Sequence, residues 1–218
     1  PVVDSPTGGE PVSATDDACR VWIDLCSPSH PFFFRSLVDA LDDVEPSVTV
    51  REKTETVPLA AQVDFAYEVV GRDFDNPVLR MAGIPLRTGS LVGRMPDCDV
   101  ALASRNVMAV LAARARGIPS IHFTDNDITA SVSGLWTERL YNRLEAAATH
   151  NVVPAAFETS ELTTWRGDSS TIHTYEGTKE DVSVAGFEPE PTFTDRLPFE
   201  EYVVVRPEAL SAAYVDAE

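Results

Sequence analysis

Four short polar stretches carry side chains able to hold or react with a small ligand. Ser27-Pro28-Ser29-His30 places two hydroxyls and an imidazole where an apolar run gives way to a helix-like one. Such hydroxyls, with the free N–H groups of a helix's first turn, suit an anionic or hydroxyl-rich ligand, and His30 could donate a hydrogen bond or act as general base. Ser29 or His30 capping the helix, with Pro31 in its first turn, accounts for the same residues without a ligand. Ser104-Arg105-Asn106 supplies a guanidinium fork for a phosphate or carboxylate, or for a neighbouring acid. Asp125-Asn126-Asp127 can orient sugar hydroxyls, hold a cation or supply a base, or can form a solvated turn. His122, shortly before that loop and directly before Phe123, fits either a metal ligand or a packed strand residue, and no metal is expected. Lys179-Glu180 follows Tyr175-Glu176-Gly177, and Lys179 is one of only two lysines, so a specific task competes with a local surface pair.

These stretches matter because each follows a β-like run. The segments RVWIDL from Arg20, SVTVRE from Ser47, FAYEVV from Phe65, DVALAS from Asp99, PSIHF from Pro119, HNVVP from His150 and TIHTY from Thr171 read as strands. Helix-like stretches separate them: 32–41, 78–95 with an interruption at Pro85, 106–116 stopping at Gly117, 134–148 and 158–165. Alternation of this kind predicts an α/β domain with an open parallel sheet covered by helices on both faces. Ligands of such sheets sit outside the carboxyl ends of the strands, so all four corners are expected to share one rim.

The domain is expected to span residues 20–185, after a flexible tail at 1–19. A proline- and acid-rich linker at 186–200 and a further strand and turn at 201–218 complete the division. There are 218 residues, 44% of them hydrophobic, and no apolar run approaches the roughly 18 residues of a membrane span. The start of the chain lacks the pattern of a signal peptide. Cys19, Cys26 and Cys98 show no C-x-x-C spacing, which favours a reducing cytoplasm, and Cys26 reads as a small packed residue rather than a nucleophile.

Thirty-five acids against 17 Lys and Arg give a net charge of −18. That excess, with lysine nearly absent, fits a halophilic archaeal or similar cytoplasm. At about 1 M salt the screening length is roughly 3 Å, so an anionic substrate is still allowed. No basic stripe interleaved with aromatics points to nucleic acid. P-loop, GxGxxG, GxSxG and HExxH motifs do not occur in a suitable context, which lowers nucleotide hydrolysis, simple dinucleotide chemistry and serine hydrolysis.

WIDLCSPSHPFFFRSL, GIPSIHFTDND, YEGTKED and FEPEPTF with EEYVVVRPEA, in that order, resemble an archaeal family, domain of unknown function 354. That family is in turn similar to the GT-B superfamily of nucleotide-sugar glycosyltransferases and UDP-N-acetylglucosamine 2-epimerase. The resemblance implies two Rossmann-like domains facing across a cleft, no cofactor and a nucleotide sugar as substrate. It implies further that this chain is the N-terminal half plus the start of a second domain, cut off after Glu218. His30 and Asp127 are then the expected general bases. Ser27, Ser29, Ser104, Arg105, Asp125, Asn126, Lys179 and Glu180 are expected to bind substrate. By analogy Arg206 and Glu208, at the first corner of the second domain, would meet the donor phosphates or sugar. A non-catalytic sugar- or nucleotide-binding module, or an inactive fragment, is the alternative.

Overall fold

The computed structural model describes residues 18–53, 55–73, 77–127, 134, 136–166, 168–199 and 201–205. Seven strands form one sheet: β1 (Cys19–Leu25), β2 (Val44–Glu52), β3 (Tyr67–Arg72), β4 (Val100–Ser104), β5 (Ser120–Phe123), β6 (His150–Pro154) and β7 (Ile172–Tyr175). Their order is β3-β2-β1-β4-β5-β6-β7 and every pairing is parallel. Strands are therefore laid outward from β1 in one direction and then, from β4, in the other. The loops after β1 and β4 diverge at that reversal, which opens a crevice at the carboxyl edge. This is the Rossmann-like α/β architecture that the alternating pattern implies.

The helices are α1 (His30–Asp39), α2 (Thr56–Ala60), α3 (Pro77–Arg94), α4 (Val107–Arg116), α5 (Trp136–Glu145), α6 (Ser160–Arg166) and α7 (Asp181–Val184). Alternation along β1 sends Val21, Ile23 and Leu25 to one face, where they pack with Phe33, Phe34 and Val38 of α1. Trp22 goes to the other face, against Leu91 of α3 and Met108, Ala109, Ala112 and Ala113 of α4. Six of the ten residues of α4 are buried, and their small side chains let the helix lie close to the sheet. Its end is set by Gly117 at φ 70°, a left-handed conformation that glycine adopts without a Cβ penalty.

Three details differ from expectation. The helix α3 runs unbroken through Pro85. Tertiary packing outweighs the lost backbone donor there, because Leu91 and Met95 beyond the proline are anchored in the core. The short α2 carries no sequence signal, since its five residues include a proline and two β-branched side chains. β2 begins at Val44 rather than Ser47, since Pro46 is tolerated opposite Val21 in the parallel register. Residues 1–17 of the expected tail and 206–218 of the expected second domain, including Arg206 and Glu208, lie outside the described residues. Among the described residues no helix is long and apolar enough to cross a membrane.

Beneath the crevice lies an ion pair. Asp24, fully buried in β1, accepts two hydrogen bonds from the Arg87 guanidinium, Nη1 to Oδ2 and Nη2 to Oδ1, both 2.8 Å. Thr49 of β2 donates to Asp24 Oδ1 at 2.7 Å and Asn106 Nδ2 donates to Oδ2 at 2.7 Å. Arg87 Nε donates to the Val70 carbonyl of β3 at 2.8 Å. Removing one partner of such a pair strands a charge in the core, at roughly 3–5 kcal/mol, whereas replacing both with apolar groups is close to neutral. Asp24→Ala is therefore expected to lower unfolding stability by about that amount. The double change Asp24→Leu with Arg87→Met should recover most of it in denaturant titration.

Candidate functional site

The carboxyl ends of β1, β4, β5 and β7 carry the four polar corners, and the parallel sheet places them on one rim. At the first corner Pro31 occupies the opening turn of α1, and Ser29 precedes the helix without a side-chain capping bond. Ser29 is exposed and Ser27 half-buried. His30 is 1% exposed. Its Nδ1 accepts the Cys26 N–H at 3.3 Å, which leaves the proton on Nε2. Burial, with the nearby Lys179 ammonium, pulls the imidazole down to about 3. The ring is thus neutral at ordinary pH with its acceptor nitrogen occupied and its remaining polar atom the Nε2–H donor. That geometry replaces the expected general base by a hydrogen-bond donor. Cys26 donates its thiol to the Arg105 carbonyl at 3.7 Å, and burial pushes it up to about 12, as befits an inert packed residue.

At the second corner Asn106 caps α4 by accepting the Ala109 N–H and anchors to Asp24. Arg105 stands at φ 43°, an uncommon backbone for a residue other than glycine, and turns its guanidinium toward α5. It donates to Glu145 Oε2 and to Glu138 Oε2, each at 2.7 Å, and to Asn142 Oδ1. Its Nε lies 3.7 Å from Asp125 Oδ1. The expected phosphate-binding fork is therefore already engaged by carboxylates of the chain, and Arg105 serves to clamp α5 to the rim. Ser104 is fully buried, and its Oγ has no hydrogen-bond partner among the described residues.

Asp125 links the third corner to the fourth. Its Oδ2 accepts from Lys179 Nζ at 2.9 Å and its Oδ1 accepts from Asn126 Nδ2 at 3.0 Å. Although burial opposes ionisation, the two cations Lys179 and Arg105 hold its carboxyl below the usual range. Lys179 is 6% exposed and lies 5.5 Å from the centre of the Phe33 ring, a cation–π contact. It is no surface partner of Glu180, which is exposed at the start of α7. The turn that folds it inward depends on Gly177 at φ 100°: a Cβ there would sit 2.3 Å from Asp181 Oδ2. That carboxylate is fixed in place by the Thr178 N–H at 2.8 Å.

Asp127 is partly committed, since its Oδ2 accepts the Glu158 N–H at 2.9 Å and so joins the third corner to the approach of α6. The corners share the rim without sharing one cavity. Lys179 lines a mainly apolar cavity of about 230 Å³ with Phe33, Phe123 and Tyr175. Arg105, Asn126 and Asp127 border a second one, with Glu145 and Trp165, toward α5 and α6. Asp125 stands between them as partner of both cations. Glu145, Glu138, Asp24 and Arg87 were not singled out by sequence. The signals available were a lone acid inside the apolar run WIDL and carboxylates spaced along an amphipathic helix, both of which are also ordinary surface features.

The whole of this region falls within residues 19–218, matched by the family model described as "Protein of unknown function (DUF354)". The chain belongs to the DUF354 family. None of the curated proteins matches it. Among solved structures, UDP-GlcNAc 2-epimerase from Neisseria meningitidis bound to UDP-GlcNAc is similar in fold, with a TM-score of 0.59 and 14% identity over 75% of this chain and 48% of that one. MnaA of S. aureus with UDP gives 0.58 and 13%, over 77% and 46%. HepE of Anabaena in complex with UDP gives 0.51 and 12%, over 72% and 43%. The DUF354 chain thus spans about half the length of the structures it matches, and at these identities the similarity is one of fold.

The buried groups of the rim make stability depend on pH in opposing ways. Burial raises Glu145 to about 7, so below that pH the folded chain holds a proton that an unfolded carboxyl releases down to about 4.5. Acidification through this window stabilises. His30 and His122 are both lowered to about 3, so between about 6.5 and 3 the unfolded chain binds protons that the folded one refuses. Acidification there destabilises. Glu145→Gln removes the first effect alone, and its stability is expected to fall more steeply on acidification between pH 6 and 5 than that of the parent, by roughly 1.4 kcal/mol per pH unit. Equal slopes in parallel urea titrations would show that Glu145 does not take up that proton.

Proposed function

We propose that this DUF354 chain is the Rossmann-like half of a GT-B-like enzyme that acts on a nucleotide-activated sugar, as a glycosyltransferase or a sugar epimerase, with this half reading hydroxyl groups. The observation that carries the reading is the rim after β1, β4, β5 and β7. There the Ser104 hydroxyl has no hydrogen-bond partner among the described residues, His30 accepts at Nδ1 and keeps its proton on Nε2, and Lys179 Nζ makes one hydrogen bond, to Asp125. Donors left open beside a charged pair at a switch point are what a hydroxylated ligand requires. The fold likeness to proteins crystallised with UDP and UDP-GlcNAc supports the nucleotide-sugar class.

In this reading Ser27 and Ser29 border the ligand from the start of α1, and the neutral His30 donates to a sugar oxygen. Asp125 orients Lys179, whose ammonium meets charge developing on the diphosphate. Asp127 keeps Oδ1 as a base for a hydroxyl entering from the α6 side with Asn126 beside it, and Glu180 is proposed to contact substrate next to Lys179. Arg206 and Glu208 are proposed to act from the segment that follows. The acid-rich surface suits a cytoplasm of high salt, where the screening length is short. The commitment of Arg105 and of one Asp127 oxygen to internal bonds favours a second reading, a binding module without turnover.

UDP is expected to raise the thermal midpoint of a DUF354 protein that includes this chain, and labelled UDP-GlcNAc to be converted or transferred. Lys179→Met should weaken UDP binding by about ten- to a hundredfold, the worth of one charge-assisted contact. Binding without any turnover would select the module. No response to UDP or to UDP-sugars would remove both readings.

A further inference from the structure

Between α1 and the single-turn α7, beside β5, β6 and β7, the cavity next to Lys179 offers about 230 Å³ of open space. Its walls are Phe33 and Leu37 of α1, Phe123 of β5, Val152 of β6, Tyr175 of β7 and Val182 of α7. Phe33 meets Phe123 edge to face at 5.2 Å between ring centres and meets Phe34 in the same manner at 4.9 Å, so its ring is held as wall. The helix α7 bounds the far side and is tied to α1 by the Ser36 hydroxyl, 3.4 Å from that of Ser183. An apolar cavity of about 150 Å³ is enough to take up benzene. The space here suits one aromatic ring, or a short alkyl chain, with a substituent.

One charged group enters this apolar setting. Lys179 is 6% exposed, lies over the Phe33 ring and donates to Asp125. An ammonium only donates, so a polar atom placed against it must accept. Carboxylates outnumber it, because Asp125 pairs with it while Glu176 and Asp181 line the same cavity. A carboxylate or phosphate guest is repelled by those acids, and an amine is repelled by Lys179. A hydroxyl escapes both, since its oxygen accepts from the ammonium and its proton points toward the acids.

We propose that this cavity binds an uncharged alcohol with an apolar aryl or short alkyl body, which fills the space between α1 and α7 and sets its hydroxyl against Lys179. The nucleotide-sugar reading gives Phe33, Leu37, Phe123, Val152 and Val182 no task, and the alcohol supplies one. The inference does not rest on that reading. The two ligands meet at Lys179, whose ammonium carries three N–H groups.

NMR titration of the intact chain with benzyl alcohol, toluene, benzoate and benzylamine, without UDP, tests it. Benzyl alcohol is expected to bind with a Kd of about 0.1–1 mM, and benzoate and benzylamine about tenfold more weakly. Lys179→Met should lower the ratio of benzyl alcohol to toluene affinity about tenfold, a readout that a general loosening of the fold does not move. Val182→Phe and Leu37→Phe, each at a half-buried position, fill the cavity from opposite helices and should weaken benzyl alcohol about tenfold. Should one of them fail to fold, the other decides. Absence of benzyl alcohol binding, or binding untouched by the filling variants, would overturn the proposal. A preference for benzoate, or an unchanged ratio in Lys179→Met, would overturn it equally, the former by making Lys179 an anion site. The UDP response is measured separately, so failure here leaves the nucleotide-sugar reading to its own test.

Discussion

A carboxylate sealed inside a parallel sheet must be neutralised and hydrogen-bonded in full, and Asp24 imposes that requirement on everything around it. Its two oxygens receive Arg87 from α3, Thr49 from β2 and Asn106 from the start of α4. Trp22 in turn donates to the Thr49 hydroxyl at 3.2 Å, and Arg87 reaches the Val70 carbonyl. One charge thereby fixes the relative placement of three strands and two helices. An apolar contact tolerates a slide along the strand; a bidentate guanidinium does not. The consequence reaches the rim, because the residue that completes the knot, Asn106, also caps α4 and follows Arg105 directly. The backbone of Arg105 is left at positive φ between two fixed points, and its side chain is delivered toward α5.

Charge placement repeats at the rim with a different result. In a chain with twice as many acids as bases, the two cations there are surrounded by carboxylates. Arg105 contacts Glu138, Glu145 and Asp125, and Lys179 contacts Asp125. Arg105 holds three acids and therefore works as a structural centre. Lys179 holds one, with two donors unspent. The two basic groups that look equivalent as corner residues thus divide into a clamp and a candidate ligand contact, a division set by which helix packs against each.

The strands and their parallel pairing were legible because period-two and near-continuous apolar runs alternate with helical ones, and that signal is local. The four corners were legible for the same reason, since a strand's carboxyl end is known once the strand is. What each corner side chain touches was not. SPSH reads as an open hydroxyl-and-imidazole turn, yet His30 is buried, its ring edge-on to Phe34 one turn along α1, which in turn packs against Phe123 of β5. Arg105 reads as free because Glu138 and Glu145 lie 33 and 40 residues away along the chain. The Asp24–Arg87 pair spans 63 residues. Ion pairing across such distances is a property of the assembled layers, and no spacing rule contains it.

The net charge of the open part of the rim bears on what this half of the fold can do. Lys179 and Asp125 cancel, His30 is neutral through its burial, and the serines carry no charge. A diphosphate brought to that surface meets one ammonium already half satisfied by a carboxylate, whereas a sugar hydroxyl meets open donors with no ionic competitor. Neutral, pre-oriented donors discriminate hydroxyl positions well, because an unmatched group remains buried without a partner. They grip phosphate poorly. If nucleotide sugars are the ligands, the strong hold on the diphosphate has to come from cations other than Arg105.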